Sequence, residues 1–369
     1  VEFAGSGADW VMVENSGKIE RMTIRGFKSI REMYDLELKD INILIGANGA
    51  GKTNFVGIFS FLLKMAHGEL DHYVKRMGGA GRVLHFSGKF SEELAVRVDF
   101  ERGHYNSVFD LGVNDKLEIL VEHGHIQDEI NSVSAATTPP GYQDTEGPTS
   151  LRKFYKTIVG FKVFHFHDTT ISSRIRATSD TVEMDTLLSD GANLAAFLYY
   201  LQEKHPSHLD YIEQVVRSIA PFFQRFLLKP DPENERFIRL RWRHIGAEEA
   251  FDVSDLSDGT LRFIALAALL LQPNPPPTII IDEPELGLHP AAIAQLAAMI
   301  HQVSPDVQII AATQSPTFAS YFGWQDFIVV ERKEEASTFR RLTEEEVKPW
   351  LEDFSMGEIW EKNIIGGRP

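Results

Sequence analysis

Apolar and polar positions alternate along much of the first part of the chain. Met22 and Ile24 alternate with Arg21, Thr23 and Arg25, the period of a half-buried strand. Ile41-Asn42-Ile43-Leu44-Ile45 is a short, largely apolar run that ends in a glycine-rich turn, and Asn54 to Met65 then takes a helical period. Alternation returns from Glu93 to His125, broken by Gly103 and by Gly112-Val113-Asn114-Asp115, which predicts a meander of antiparallel strands. Asn131 to Ser150 is rich in Ser, Thr, Pro and Gly and reads as a flexible loop or a small disordered insertion.

Further on, Phe161 to Phe166 reads as a strand, and Ala192 to Lys204 and His208 to Ala220 as helices. In Arg236 to His244, Ile238, Leu240 and Trp242 fall on one face, Arg239, Arg241 and Arg243 on the other. Thr260 to Leu271 is a strongly apolar helix. Thr278 to Ile281, Val307 to Ala312 and Phe327 to Val330 are continuous apolar runs, as expected of strands buried on both faces, with Pro290 to Val303 a helix between the first two. No internal repeat is visible.

The chemistry sits at the ends of these runs. Gly46-Ala47-Asn48-Gly49-Ala50-Gly51-Lys52-Thr53 matches G-x-x-x-x-G-K-[ST] and lies between a strand and a helix, the setting of a P-loop. Backbone amides from Asn48, Gly49, Ala50, Gly51, Lys52, Thr53 and Asn54 would cradle phosphates. Lys52 would reach the β- and γ-phosphates of ATP, and Thr53 would ligate Mg²⁺. A second acidic element, Asp282-Glu283, closes the strand Ile279-Ile280-Ile281 in the manner of a Walker B motif. Asp282 would hold Mg²⁺ and Glu283 would orient and deprotonate the attacking water. Leu256-Ser257-Asp258-Gly259-Thr260-Leu261-Arg262 stands before the apolar helix, with Ser257 and the Gly259 amide at its N-terminus. Taken alone it is an ordinary helix cap.

Taken together, these segments resemble the ABC-type ATPases, whose signature is similar to LSGGQ. Asp282-Glu283-Pro284-Glu285-Leu286-Gly287-Leu288-His289-Pro290, then Ala312-Thr313-Gln314-Ser315-Pro316, resemble the SMC, RecF and OLD branch, most of all OLD-type and related single-chain "AAA family" ATPases. Ile24-Arg25-Gly26-Phe27-Lys28-Ser29-Ile30 is similar to the N-terminal strand motif of SMC proteins. The resemblance implies an α/β fold: a P-loop nucleotide-binding domain with a parallel core sheet, an antiparallel β-subdomain and an inserted helical lobe. It places Lys28 and Ser29 near the phosphates, Gly287 to His289 in a D-loop, and Gln314 where most ABC ATPases have a switch histidine. It also implies a head-to-tail homodimer in which Ser257 and Gly259 of one chain close on the γ-phosphate bound to the other.

The expected division is 1–17 a loose terminus of vector origin, 18–130 the first half of the ATPase domain, 131–223 the loop and helical insertion, 224–345 the second half and 346–369 a tail. About 40 residues after the last core strand leave no room for a TOPRIM nuclease domain. Ile359 and Trp360 are either a partner-docking patch or a helix packed on the core. His165 and His167 with Asp168 have the spacing of metal ligands, although strand histidines with ordinary partners are the simpler reading. His85-Phe86-Ser87-Gly88-Lys89 receives no role, and no glutamine between Thr53 and Phe100 fits a Q-loop.

Composition narrows the function. There are no cysteines, which removes disulfides, Cys-zinc sites (a zinc hook included), iron–sulfur clusters and thiol nucleophiles, and fits a reducing cytoplasm. No secretory signal is visible, and the longest apolar run, Phe263 to Leu271, is far short of the roughly 20 residues of a membrane span, so no membrane partner is expected. A net charge of −16 excludes broad coating of nucleic acid but not a local basic track. Arg239, Arg241 and Arg243 are either such a track or a solvated row paired with acidic neighbours. The functions in view are an ATP-driven dimerisation switch in anti-phage defence or DNA maintenance, acting through a separate nuclease or toxin; a RecF-like repair ATPase on DNA; a transporter ATPase subunit; and an ATP-sensing scaffold with little hydrolysis.

Overall fold

The computed structural model describes residues 17–88, 93–126, 133–135, 149–166, 168–182 and 184–368. Strands β1 (Ile19–Phe27), β2 (Ile30–Glu37) and β3 (Ile41–Ile45) lead through the glycine-rich turn into helix α1 (Lys52–Ala66). Helices α2 (Leu70–Met77) and α3 (Ala80–Val83) return the chain to β4 (Glu93–Phe100), β5 (Gly103–Leu111), β6 (Leu117–Ile126) and β7 (Val133–Ala135). Helix α4 (Thr149–Val159), β8 (Phe161–Phe164), β9 (Ser179–Asp180), α5 (Leu194–Lys204) and α6 (Pro206–Ile219) follow. Short strands β10 (Phe223–Phe226), β11 (Pro230–Asp231), β12 (Asn234–Ile238), β13 (Arg241–His244) and β14 (Ala250–Asp252) precede α7 (Asp258–Leu270). The rest is β15 (Thr278–Asp282), α8 (Pro290–Val303), β16 (Gln308–Thr313), α9 (Pro316–Ala319), β17 (Phe327–Lys333), β18 (Ala336–Arg341), α10 (Glu344–Val347) and α11 (Met356–Glu361).

The central sheet has the order β18-β17-β3-β16-β15-β8, parallel except for β18 at its edge. Its apolar runs alternate between two cores. Ile43, Ile279, Ile281, Ile309, Ala311 and Val329 face one core; Leu44, Ile280, Ile310, Ala312, Ile328 and Val330 face the other. Helices α5 to α8 cover the first face. Helix α1, α4 and the antiparallel sheet β2-β1-β4-β5-β6-β7 cover the second. Every residue of α7 from Leu261 to Leu270 is buried, so this helix is a core element. Truncating one of its leucines to alanine would cost about 2–5 kcal/mol.

A buried glutamine joins the sheets. Gln308 accepts from the Ile19 amide at 2.9 Å and donates to the carbonyls of Ile19 (2.8 Å) and Lys39 (3.0 Å). This side chain thus ties the start of β1, in the antiparallel sheet, to the start of β16, in the central sheet.

Several expectations change. Phe161–Phe164, assigned by pattern to the insertion, pairs in parallel with β15 and belongs to the central sheet. Helices α5 and α6 of the inserted lobe share the core of α7 and α8. The arginine-bearing run is not one strand: β12 pairs with β11 and β9, β13 with β10 and β14, and the break falls at Arg239 and Leu240. Ile359 and Trp360 are fully buried, and the Trp360 indole donates to the Gly367 carbonyl at 2.8 Å, so they form a packed helix and not a docking patch. Residues 1–16 and most of 131–150 lie outside the described residues, but the Gly17 carbonyl accepts from Thr278 at 3.2 Å. Among the described residues no helix is long and apolar enough to cross a membrane.

Candidate functional site

The turn after β3 and the first turn of α1 form the candidate phosphate cradle. Gly51 caps α1 at φ 120°, a conformation that a side chain resists, and a Cβ there would lie 2.1 Å from the Ser337 hydroxyl. A Cβ on Gly49 would meet nothing within 4 Å, so the loop is open on that side. Asn48 and Thr53 are exposed, whereas Ala50 is buried. The first-turn amides of a helix have no acceptor within it, so those of Lys52, Thr53 and Asn54 are available to an anion. The Lys52 ammonium is buried and donates to the carbonyls of Gly46 at 2.5 Å and Ala47 at 3.1 Å. Burial pushes its pKa down, opposed by the charges of Asp282, Glu283 and Glu285.

Those carboxylates come from the end of β15. Asp282 is its last residue and is buried. Glu283 follows with φ 45°, in the left-handed region, and its amide donates to the Ala312 carbonyl at 2.8 Å. The Gln314 side-chain amide donates to Oε1 of Glu283. Glu285 is buried beside them, accepts the Thr313 hydroxyl at 2.5 Å and leaves Oε2 without a hydrogen-bond partner. Burial pushes its pKa up. Parallel pairing of β3, β16 and β15 brings Gly46, Gln314 and Glu283 to one edge, because all three strands end there. This set suits a magnesium–nucleotide complex: a hydroxyl and a carboxylate for the hard cation, an ammonium and helix-end amides for the phosphates.

The signature segment is built separately. Ser257 caps α7, its hydroxyl accepting from the Thr260 amide at 3.1 Å. Gly259 packs on the turn at Gly287 so closely that a Cβ would come within 2.4 Å of the Gly287 carbonyl. Arg262 joins the same elements, donating to the carbonyls of Phe166 (2.7 Å) and Leu286. Neither Ser257 nor Gly259 is hydrogen-bonded to the P-loop of its own chain.

Lys28 and Ser29 divide. Ser29 lies under the cradle, where its hydroxyl accepts from Asn54 at 2.7 Å and sits 2.7 Å from that of Ser337. Lys28, at φ 49°, lays its ammonium 5.3 Å from the Phe27 ring centre, beside Gly57 on the flank of α1. Burial pushes its pKa down. His85, left without a role by sequence, is buried with Nδ1 2.6 Å from the Lys28 carbonyl. His165 donates its amide to the Ser189 carbonyl, Asp168 accepts from the Thr170 amide and hydroxyl, and His167 lies outside the described residues. Among the described residues no group of three or more acidic, histidine or cysteine side chains is arranged to hold a metal.

Two residues of the site are not announced by the sequence. Ser337 comes from β18, which has no apolar run to mark it. Arg176 ends a single 3-10 turn, Arg174–Arg176, yet its side chain is buried and donates to the carbonyls of Thr169 (2.7 Å), Val253 (2.5 Å) and Leu256 (3.1 Å) and to Asp258 (2.8 Å). Its only signal along the chain is an arginine in a segment with few other cations.

Comparison with known proteins agrees with this architecture. The SMC head bound to the C-terminal winged-helix domain of ScpA superposes with a TM-score of 0.59 at 16% identity, over 90% of this chain and 99% of that one. The SMC head with an extended coiled coil bound to the C-terminal domain of ScpA, from Pyrococcus furiosus, gives 0.55 at 15% identity, over 91% and 99%. These likenesses show the fold: an α/β, ABC-type P-loop fold like that of an SMC head. No curated protein matches the chain in sequence. A family profile does match, over residues 41–320, so that both motifs of the site and the sheet joining them fall within it, and the chain belongs to the family described as "AAA domain, putative AbiEii toxin, Type IV TA system".

Proposed function

We propose that the chain is a Mg²⁺-dependent ATPase that works as an ATP-driven, head-to-tail dimerisation switch. The observation that carries this reading is the set around Glu283: a carboxylate held by Gln314, next to Asp282, with Lys52 in the field of both. Lys52 and the amides of residues 48–54 bind the triphosphate of ATP. Thr53 and Asp282 would hold Mg²⁺, which neutralises charge on the β- and γ-oxygens. Glu283 takes a proton from the attacking water as its oxygen bonds to the γ-phosphorus. The bond from that phosphorus to the bridging oxygen breaks, and ADP leaves with the electron pair. Gln314 keeps the carboxylate aimed; an amide carries no titrating proton, so it orients rather than shuttles, and turnover is slow.

Ser257 and Gly259 have no role toward their own P-loop, so in this reading they serve a second copy's nucleotide. Bound ATP holds the pair together and hydrolysis releases it. The output passes to a separate effector, a nuclease or toxin, in anti-phage defence or DNA maintenance. Support for the effector is the toxin–antitoxin description of the family together with the resemblance to OLD-type ATPases. The test is size-exclusion chromatography with ATP and Mg²⁺: Glu283→Gln should run as a stable dimer and Lys52→Ala as a monomer. Identical elution of both variants, with or without ATP, would sink the switch.

A further inference from the structure

The small sheet β10-β13-β14 buries Phe223, Phe226 and Trp242 on one side. Its other side carries arginines. Arg225 on β10 stands directly opposite Arg243 on β13, Arg241 lies two residues along the same face, and exposed Arg239 stands just before β13, at the break between the two sheets. In a chain with 53 acidic residues to 37 basic ones, pairing with carboxylates is the simple expectation. Among the described residues none of these four arginines makes an ion pair.

The nearest carboxylates are committed elsewhere. Asp252, across from Arg241, caps the following turn by accepting from the Ser254 amide at 3.3 Å. Glu213, whose charge reaches Arg225, accepts the Phe226 amide at 2.7 Å and pairs with Arg217 at 3.6 Å. Glu248 and Glu249, on the exposed turn between β13 and β14, reach none of the four. Arg239 donates to the Thr178 hydroxyl at 3.0 Å, and Nε of Arg243 is buried with no acceptor. Like charges directly opposite on neighbouring strands destabilise a sheet, so Arg225 against Arg243 is a cost that an external anion would remove.

We propose that this face binds the phosphodiester backbone of duplex DNA. Alternate residues on a strand lie about 7 Å apart, which spans two steps of about 3.4 Å along one DNA strand. Guanidinium forks suit phosphate oxygens. Contacts confined to phosphate oxygens carry no sequence information, so binding is indifferent to sequence. Strand β14 runs through residues 253–255 into Ser257, and the Trp242 indole donates to the Asp252 carbonyl at 3.0 Å, so DNA here would bias the signature loop. That coupling rests on the proposed ATP switch; the binding itself does not.

The test is fluorescence anisotropy of a short labelled duplex with the whole chain, without nucleotide, over a range of salt. Arg225→Ala/Arg241→Ala/Arg243→Ala should lower affinity about tenfold or more on every sequence and reduce the slope of log affinity against log salt by roughly 2–3. The matching triple lysine variant should keep most of the affinity. If the alanine variant loses its melting transition, Arg225→Glu and Arg241→Glu, both exposed, settle the question singly, each by a slope change of about 1. No binding by the parent, an unchanged slope in these variants, or displacement by polyglutamate as readily as by unlabelled duplex would overturn the proposal. ATP turnover without DNA should be unchanged in the triple variant, so failure of the DNA face and failure of the ATPase reading show up in different measurements.

Discussion

The Ser337 hydroxyl lies 2.7 Å from that of Ser29, joining residues 308 positions apart directly beneath the phosphate cradle. Ser337 has one proton, and it goes to the Ala50 carbonyl at 2.5 Å. Asn54 supplies Ser29 from above at 2.7 Å. The floor of the P-loop is therefore built from two remote pieces of chain, the turn after β1 and strand β18.

Ser337→Ala should cost about 1 kcal/mol, since it strands a buried carbonyl, and should weaken ATP binding. Gly51→Ala should cost more, because the added Cβ meets Ser337 and the backbone sits at φ 120°. Thermal melts and nucleotide titrations of both variants check this. Equal melting of Ser337→Ala and the parent would show that the network holds nothing.

Glu283 occupies a left-handed conformation, in which any Cβ crowds the backbone and glycine alone is at ease. Glu283→Gly should thus melt above Glu283→Ala by an amount worth about 1 kcal/mol. Both should turn over ATP at least about 100-fold more slowly than the parent. Matching melting temperatures would mean the strain is relieved elsewhere.

Arg176 holds the approach to the signature segment through three carbonyls and Asp258. Arg176→Ala should cost roughly 2–3 kcal/mol through stranded buried acceptors. It should leave ATP binding to the isolated chain intact while ATP-dependent pairing weakens. Asp258→Asn should do little, because that carboxylate is open to solvent. A nucleotide-affinity titration beside a dimerisation titration separates the two effects; loss of affinity with pairing intact would reverse the assignment.

Glu122 is buried among Tyr105 and Tyr155, whose hydroxyls donate to it at 2.6 and 2.5 Å, and Oε2 has no partner. Burial, outweighing these two hydrogen bonds, raises its pKa above the ordinary 4.5. The folded chain therefore holds this proton more tightly than the unfolded chain. Its contribution to stability is full below the unfolded value and falls as pH rises through the folded value. Glu122→Gln should gain on the parent in melting temperature as pH rises from about 4.5 through the raised pKa of the folded chain. A constant difference across that range would show that Glu122 does not titrate as argued.

Much of the fold and the phosphate site is legible in the order of residues alone. The strands of the central sheet are buried on both faces, so they read as unbroken apolar runs, and the P-loop and Asp282-Glu283 follow them with fixed local spacing. A phosphate cradle is made mostly of consecutive backbone amides, which is why eight adjacent residues announce it. Tertiary structure alone decided the rest. Phe161–Phe164 joined the sheet because the free edge of β15 needed a partner, and the arginine row broke because its two strands pair in different sheets. Ser337 and Arg176 make their contacts across 287 and 82 residues, to Ala50 and Asp258, and no local period records such a distance. Local chemistry depends on neighbours in sequence, whereas support for a site depends on which backbone groups folding leaves without water, and those are known only when the chain has closed around them.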